Sequence, residues 1–365
     1  MADMFGQRGS QLAAVRPESV RRSAEIEHLE PRRLFAASLT VENLDVLPGF
    51  ERMIFNRIRN INTELPNYVK ERGTLKLTNT GDQTLRFSDV KITGPFRILG
   101  MPPTSIAPGK FIHLSVQFTA TSTPPFTYNQ TIATSNQGQA GTWIGSMTFR
   151  TNDPNNLTYT EGLAGWFQED SERNEEPNLQ TIINLIGDFK TNIHPTKIHV
   201  LTQPADAPKY YGEEVVSGYW TAADTSKVVR VRQLSAFKTQ GIDIRVQWFN
   251  KSDKILKTTL TTDGLASQSF LPYIKGNPNQ PAVSSFGPGA NVFGLRIDNS
   301  YSDDTLNVVQ TSGGHQVRFF PIRDHFGNLL PNQYFMTMDY AVAGILNADF
   351  QDNIFIVSNI KPAGN

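Results

Sequence analysis

Apolar and polar residues alternate strictly from 112 to 119, and this period of two is the feature that most constrains the fold. The apolar positions of this stretch are Ile112, Leu114, Val116 and Phe118. Alternation of this kind puts all apolar side chains on one face of a strand, so that face is buried and the other meets water. A second such stretch at 74–78 runs into a turn at 79–82, where Gly81 is expected to take a positive φ. Short strands joined by such turns predict an antiparallel sandwich over residues 38–168.

The second half of the chain alternates as well. One strand face is expected to carry Ile242, Ile244, Val246 and Trp248. Further strands are predicted at 228–232, 292–297, 316–322, 334–338 and 353–358, with glycine-, asparagine- and aspartate-rich turns between them. This pattern predicts a second antiparallel domain over residues 191–365, a jelly-roll-like sandwich.

A short amphipathic segment separates the two predicted sandwiches. Its apolar residues, spaced as one face of a helix, are Leu179, Ile182, Ile183 and Ile186. Pro177 suits the start of this helix and Gly187 its end. The preceding stretch, 169–177, carries five acids and one arginine. We therefore place an acidic linker and a short helix at 169–190, with the helix docking on the second sheet. The only other stretch whose apolar spacing resembles that of a helix is 50–59.

Charge and composition exclude several classes of function. Lysine and arginine number 34, as do aspartate and glutamate, so the formal net charge is zero. This balance disfavours a general nucleic-acid coat or a polybasic membrane binder. The chain has no cysteine, which excludes disulfides, thiolate metal sites and cysteine nucleophiles. No stretch approaches the ~20 apolar residues of a membrane-spanning helix. From the charge balance we therefore expect no nucleic-acid partner, and from the lack of an apolar stretch we expect no membrane span.

Residues 1–37 are mixed in charge and lack the apolar core of a standard signal peptide, so composition predicts a disordered arm. Within the arm, the stretch LEPRRLFAA at 29–37 resembles the Leu-Glu-Pro-Arg sorting motif near the start of many planctomycete-type extracellular proteins. Phe35 and Ala36 are mild departures from that motif. The alternative is a charged tail with an accidental match. The resemblance implies an extracellular or cell-surface protein whose mature form begins near Ala37 or Ser38.

Motifs of the first predicted domain resemble a known family. They stand in the family's order at 77–81, 94–98, 106–109 and 151–165. The family is the abnormal-spindle/hydin (ASH) type immunoglobulin-like domain. The resemblance covers nearly the whole domain and implies an immunoglobulin-like scaffold or interaction module without a catalytic centre.

A second series of motifs, in the later half, stands at 286–289, 292–295, 301–307, 315–321 and 349–357. It looks like a C-terminal module of large secreted planctomycete-type proteins, over about 175–363. The predicted fold class is therefore all-β, with an immunoglobulin-like and then a jelly-roll-like antiparallel sandwich. The resemblance implies an extracellular module but no particular activity.

The motifs of common enzymes are missing from the sequence. It has no Gly-x-Ser-x-Gly elbow, no phosphate-binding Gly-x4-Gly-Lys loop and no His-Glu-x-x-His pair. We therefore predict a non-enzymatic protein that acts as a spacer and as a binding or assembly module. Its expected partners are other cell-surface proteins or envelope polysaccharide. A hydrolase with an unrecognised site is the minor alternative, which a Ser-His-Asp set or a carboxylate pair in a deep pocket would revive.

Carbohydrate binding is the alternative function, as a module of the cell envelope or of a secreted hydrolase system. The candidate ligand-binding residues are Trp220, Tyr210 and Tyr211, because aromatic side chains offer an apolar face and a polar edge. Sandwiches also have edge strands that can pair with another chain. We expect a monomer in dilute solution with a weak tendency to form homo-oligomers.

Two acidic loops of the second predicted domain make calcium a candidate cofactor. The predicted ligands are Asp298, Asp303, Asp304, Asn307, Asp349 and Asp352. Calcium takes six to eight oxygen ligands, and two loops meeting at one end of a sandwich would supply them. The competing hypothesis is that these residues cap turns by accepting backbone hydrogen bonds.

Overall fold

The structure, a computed structural model, describes residues 36–45, 52–60, 69–124, 140–171, 175–193, 212–239, 241–340 and 349–364. Nearly all regular structure in these ranges is β-strand, which confirms the predicted all-β fold. The strands of the first half are β1 (Leu39–Asn43), β2 (Arg52–Asn60), β3 (Arg72–Asn79), β4 (Leu85–Ile92), β5 (Phe96–Leu99), β6 (Ser105–Ile106), β7 (Phe111–Phe118), β8 (Ala140–Thr151) and β9 (Thr158–Asp170).

The later strands follow one α-helix, α1 (Leu179–Gly187). They are β10 (Trp220–Ala222), β11 (Val229–Phe237), β12 (Ile244–Asn250), β13 (Lys257–Thr262), β14 (Gln268–Phe270), β15 (Val283–Phe286), β16 (Phe293–Ile297), β17 (Ser300–Tyr301), β18 (Val317–Arg323), β19 (Leu329–Met338), β20 (Asn353–Ser358) and β21 (Ile360–Pro362). Short 3-10 helices span Gly264–Ala266, Asp304–Leu306 and Thr311–Gly314.

Two sheets form the first sandwich. Their strand orders are β1-β3-β7-β5 and β2-β9-β8-β4-β6. All pairs are antiparallel except β2 with β9, which run parallel. The predicted strand at 112–119 is β7, and Leu114, Val116 and Phe118 on its apolar face are buried between the sheets. Gly165 of β9 makes this packing possible, because a Cβ there would lie 2.7 Å from the Phe118 ring.

Two local expectations about the first half are wrong. Of the stretch at 50–59, the described residues 52–59 are not helical, since they belong to β2, whose side chains point alternately to two buried layers. A continuous apolar run does not distinguish a strand buried on both faces from a helix. Gly81 does not take a positive φ. It is required instead by a close approach, because a Cβ there would lie 2.1 Å from the carbonyl oxygen of Ala36.

The second sandwich consists of the sheets β13-β12-β16-β10-β21 and β14-β11-β20-β19-β18, with β17 beside β16 and β15 beside β11. Its inner core contains large buried side chains, among them Trp220, Phe293, Phe319 and Phe355. On the predicted face of β12, Ile244, Val246 and Trp248 are buried. Ile242 precedes this strand and is exposed.

A third apolar layer, which we call the seam, lies between the two sandwiches. It contains Ile54 of β2 and Trp166 of β9 on one side, the apolar face of α1, and Leu234, Phe270, Phe335 and Ile356 on the other side. The sheet β14-β11-β20-β19-β18 is therefore buried on both faces. Residues 36–365 form one compact unit as a result.

The helix predicted from the 179–186 spacing is confirmed as α1, with Leu179, Ile182, Ile183 and Ile186 buried in the seam. It packs mainly against β2 and β9 of the first sandwich, whereas we expected the second sheet. Asn178 caps its start by accepting a hydrogen bond from the backbone N–H of Thr181, and Asp188, not Gly187, takes the left-handed conformation at its end.

The 169–190 segment does not act as a free linker over its described residues. The Glu175 carboxylate accepts hydrogen bonds from the backbone N–H groups of Glu169 and Asp170, and the indole N–H of Trp166 donates to the Glu175 carbonyl. These contacts fold the acidic chain back onto β9.

No helix in the described ranges is long and apolar enough to cross a bilayer.

Candidate functional site

Asn56 on β2 is the central polar residue of the seam. It is completely buried. Its Nδ2 donates to the carbonyl of Gln268 at 2.9 Å. Its Oδ1 accepts from the backbone N–H of Phe270 and the hydroxyl of Ser269, both at 3.2 Å, and from the backbone N–H of Lys70 at 3.0 Å. One side chain thus satisfies buried backbone groups of both sandwiches.

A second polar bridge runs through Glu176, at the end of the acidic segment. The Gln268 side-chain amide donates to Glu176 Oε1 at 2.5 Å, and the Gln351 amide donates to Glu176 Oε2 at 2.8 Å. Gln168 of β9 also reaches Gln268, at 3.4 Å. Elsewhere on the seam, Arg232 of β11 donates to the carbonyl of Asp45 at 2.7 Å. The segment that looked like a linker therefore supplies a carboxylate to the second sandwich.

Glu176 lies near a cluster of three carboxylates, which we call the acidic cluster. Its members are Asp339 and Asp349, which are buried, and Asp352, which is half-buried. One carboxylate oxygen from each lies within 4.8 Å of the other two. In the described ranges this is the only group of three or more Asp, Glu or His side chains that is this close. The register of β19 and β20, Met338 opposite Asn353, places Asp339 directly across from Asp352.

Electrostatics inside the acidic cluster favour neutral or cation-bound carboxylates. Burial raises the pKa of Asp349 well above its ordinary value, and Asp352 and Glu176 raise it further. Burial likewise raises the pKa of Asp352, reinforced by the neighbouring Asp339. Both shifts have the same cause, because closely spaced carboxylates in a dry environment cannot all carry charge without a compensating group.

Tyr340 connects the acidic cluster to the loop after β16. Its backbone N–H donates to Asp352 Oδ2 at 2.7 Å, and its hydroxyl donates to Asp298 Oδ2. The ammonium of Lys238 lies near both aspartates and donates to the carbonyl of Ile242 at 2.8 Å. Burial lowers the pKa of Lys238, although the nearby carboxylates oppose that shift.

The predicted two-loop calcium site is not assembled. Asp303 caps the 3-10 helix Asp304–Leu306 and accepts the hydroxyl hydrogen of Tyr219 at 2.6 Å. Asn307 is buried and holds its loop together through hydrogen bonds to the backbone of Tyr301 and Gly314. These residues cap turns, as the competing hypothesis held. Of the six predicted ligands, only Asp349 and Asp352 belong to the acidic cluster.

Asp304, another predicted ligand, takes part in a separate ion-pair network. Its carboxylate contacts Nδ1 of His315 at 2.9 Å, and Nε2 of His315 contacts Glu214 at 2.6 Å. Glu214 also accepts from the guanidinium of the fully buried Arg318 at 2.5 Å. Burial alone would lower the pKa of His315, but the hydrogen bonds to Asp304 and Glu214 outweigh it and raise the pKa. Because carboxylates occupy both ring nitrogens, His315 is not placed as a general base.

The predicted sugar-stacking role of Trp220 is wrong. Its side chain is completely buried in the second core, with ring centroids 4.4 Å from Phe319 and 4.9 Å from Tyr334. A fully buried indole presents no face to a sugar. Tyr210 and Tyr211, the other two candidates, lie outside the described residues.

A polar groove of about 790 Å³ lies where α1 meets the first sandwich. Amide and hydroxyl side chains dominate its lining, including Asn178, Gln180, Asn184 and Thr142. Asp188 at its edge pairs with Lys190 at 3.0 Å and with Arg52 at 3.8 Å. The groove therefore offers hydrogen-bonding groups with little net charge.

Sequence reasoning missed Asn56, Glu176 and Asp339. Asn56 directly follows the apolar residues Met53, Ile54 and Phe55 of β2, and an amide in a doubly buried strand signals a buried polar contact. Asp339 was detectable only by pairing 334–338 with 353–358 as neighbouring antiparallel strands, which sets it opposite Asp352. Nothing in the sequence indicated that Glu176 turns inward.

Comparisons with known proteins give similarities at a low level. No family model matches the chain, and no curated protein matches it. Among solved structures, the ASH/PapD-like domain 7 of human CEP192 is 11% identical with a TM-score of 0.22, covering 46% of this chain and 100% of that domain. The CupB2 chaperone of Pseudomonas aeruginosa is 8% identical with a TM-score of 0.23, covering 80% and 98%.

A further solved structure is an enzyme. The secreted serine protease VesC of Vibrio cholerae is 9% identical with a TM-score of 0.23, covering 90% of this chain and 51% of the protease chain. TM-scores at this level carry no argument about function. The function of this all-β chain of antiparallel sandwiches is therefore argued from its own contacts.

Proposed function

We propose that this protein is a non-enzymatic spacer and interaction module of the cell surface, in which two sandwiches are held at a fixed spacing. The observation that carries the proposal is the seam, where one sheet is buried on both faces and Asn56 bonds to both sandwiches. If the two sandwiches were connected only through the polypeptide chain, an exposed linker with few contacts would join them. A buried seam keeps whatever the two sandwiches bind at a constant separation.

Extracellular or cell-surface location is part of this proposal. The LEPRRLFAA stretch at 29–37 supports it as a sorting motif, and so does the resemblance of the later half to secreted modules. Protease treatment of intact native cells, followed by mass spectrometry, tests the location. We expect peptides from the chain after residue 36 to be released from intact cells, the first of them beginning near Ala37 or Ser38. Release only after lysis would contradict the proposal.

The proposed partners are other cell-surface proteins or envelope polysaccharide. Immobilised protein incubated with native envelope material, followed by cross-linking, would identify them. Retention that disappears when the envelope is treated with protease indicates a protein partner. No retention from envelope material at any salt concentration would remove the interaction role.

Carbohydrate binding remains a second candidate because of the polar groove beside α1. Amide and hydroxyl side chains such as Gln180, Asn184 and Thr142 are the groups that recognise sugar hydroxyls by hydrogen bonds. A glycan array with Asn184→Ala tests it, and Asn60→Ala, on an exposed strand end, is the matched control. Sugar-specific binding that is lost only in Asn184→Ala favours this function. Equal binding by both variants excludes the groove.

A further inference from the structure

The acidic cluster has the donor set of a site for a hard metal ion. Asp339, Asp349 and Asp352 each offer one carboxylate oxygen, and these three oxygens lie within 4.8 Å of one another. A calcium ion holds its ligands at ~2.4 Å, so two oxygens on one ion are separated by at most about 4.8 Å. The three aspartates therefore lie within the separation that the ligands of one calcium ion can have.

The amide of Gln351 is an independent observation that points to a ligand. Only 2% of this residue is exposed, and its Oε1 is buried without a hydrogen-bond partner among the residues that the structure describes. Its backbone N–H donates to Asp349 of the cluster at 3.4 Å, and its Nε2 donates at 2.8 Å to Glu176, a carboxylate whose charge acts on Asp349. A buried amide oxygen without a donor is costly in a native structure, and amide oxygens are common calcium ligands.

We propose that Asp339, Asp349 and Asp352, together with Glu176 and the Gln351 amide oxygen, bind one calcium ion at the seam. All of these donors are oxygens, which excludes zinc as the preferred ion because zinc sites are built mainly from nitrogen and sulfur. Magnesium retains several waters and requires a near-octahedral shell. A crowded set of mostly buried carboxylates suits the flexible, higher coordination number of calcium better.

Such an ion would join parts of the chain that are far apart in sequence. Glu176 belongs to the acidic segment that folds back onto β9, whereas the three aspartates follow β19 or precede β20. A cation shared by these groups would also offset the repulsion between carboxylates that burial brings together. The ion is thus expected to fasten the seam, and this inference does not depend on the proposed cell-surface role.

Calorimetric titration of the full chain with CaCl2, after removal of metal with EGTA, tests the proposal. We expect one binding event per chain. The melting temperature should rise by about 4 °C when free calcium exceeds the dissociation constant ~100-fold. Asp352→Asn and Asp349→Asn should each abolish both effects, because each removes a charged ligand with little change in shape.

Asp303→Asn is the matched control. It alters an aspartate that the sequence alone predicted as a ligand but that the structure assigns to a turn cap. It should retain the full calcium response. The proposal is overturned by equal melting curves in 5 mM calcium and in EGTA, by an unchanged response in both cluster variants, or by loss of the response in Asp303→Asn. An equal response to magnesium would overturn the assignment of the ion.

Discussion

Asn56→Ala is the substitution that tests the seam most sharply at a single position. It removes four hydrogen bonds of a completely buried side chain. Three of the partners are backbone groups, those of Lys70, Gln268 and Phe270, and they would be left without this partner inside the protein. Each buried polar group that loses its partner costs about 1–3 kcal/mol. Relaxation of the neighbours makes the total less than the sum, and we expect about 3–6 kcal/mol.

The assay is thermal and urea unfolding of wild type and variant. Unfolding entropy of ~2.1 cal/mol/K per residue, over the roughly 330 residues of the compact unit, gives about 0.7 kcal/mol/K. The expected loss therefore lowers the melting temperature by about 4–9 °C. Asn60→Ala is the control, because Asn60 ends the same strand but is exposed, and among the described residues its side chain donates to Asp170. It should change stability by less than about 0.5 kcal/mol.

A cost below about 1 kcal/mol for Asn56→Ala would refute the reasoning, since it would mean that water replaces the lost partners and the seam is wet. A second test uses Ser269→Ala, whose hydroxyl contacts Asn56 Oδ1 at 3.2 Å. Double-mutant analysis should show a coupling energy between the two positions of about 0.5 kcal/mol or more. Strict additivity would place the two side chains out of contact.

Three further predictions concern other buried groups. Burial raises the pKa of Glu161 to about 7, although the hydrogen bond from Tyr159 opposes this shift. The protonated carboxyl therefore contributes stability that is fully present below pH 4.5 and is lost as pH rises through 7. In urea unfolding at pH 4 and at pH 8, Glu161→Gln should reduce the loss of unfolding free energy between the two pH values by about 3 kcal/mol. The raised pKa of His315 contributes stability that is full below pH 6.5 and declines as pH rises through the folded value; His315→Gln should flatten this decline, and an unchanged pH profile would contradict the role of Asp304 and Glu214. Trp220→Ala should cost about 3–5 kcal/mol by thermal unfolding, whereas Trp220→Phe should cost clearly less, and a stable, folded Trp220→Ala would mean that the side chain is exposed.

The period of two predicted the all-β fold and most strand positions, because alternation reports directly which face of a strand is buried. It failed at β2, which is buried on both faces and which we expected to be helical. The strand at 353–358 was predicted and is β20, but its burial on both faces was not recognised. The run Ile354–Val357 in β20 is apolar at every position, which is typical of a strand covered on both sides. Read in that way, β20 and β2 would have indicated a third apolar layer between the sandwiches.

The candidate site was less accessible from sequence, since it depends on contacts across the fold. Asp349 and Asp352 were identified because they are close in sequence. Asp339 required the register between β19 and β20, and Glu176 required the path of a segment whose composition suggested solvent exposure. Trp220 was misassigned because composition does not distinguish a core aromatic residue from a surface one.

Differential scanning calorimetry of the chain tests the central claim, that the seam joins the two sandwiches into one cooperative body. The account predicts a single transition in which the calorimetric and van't Hoff enthalpies are equal, despite the two separate inner cores. Two resolved transitions, each with the enthalpy expected of about half the compact unit, would contradict it, because each sandwich would then unfold without breaking the contacts of Asn56 and Glu176.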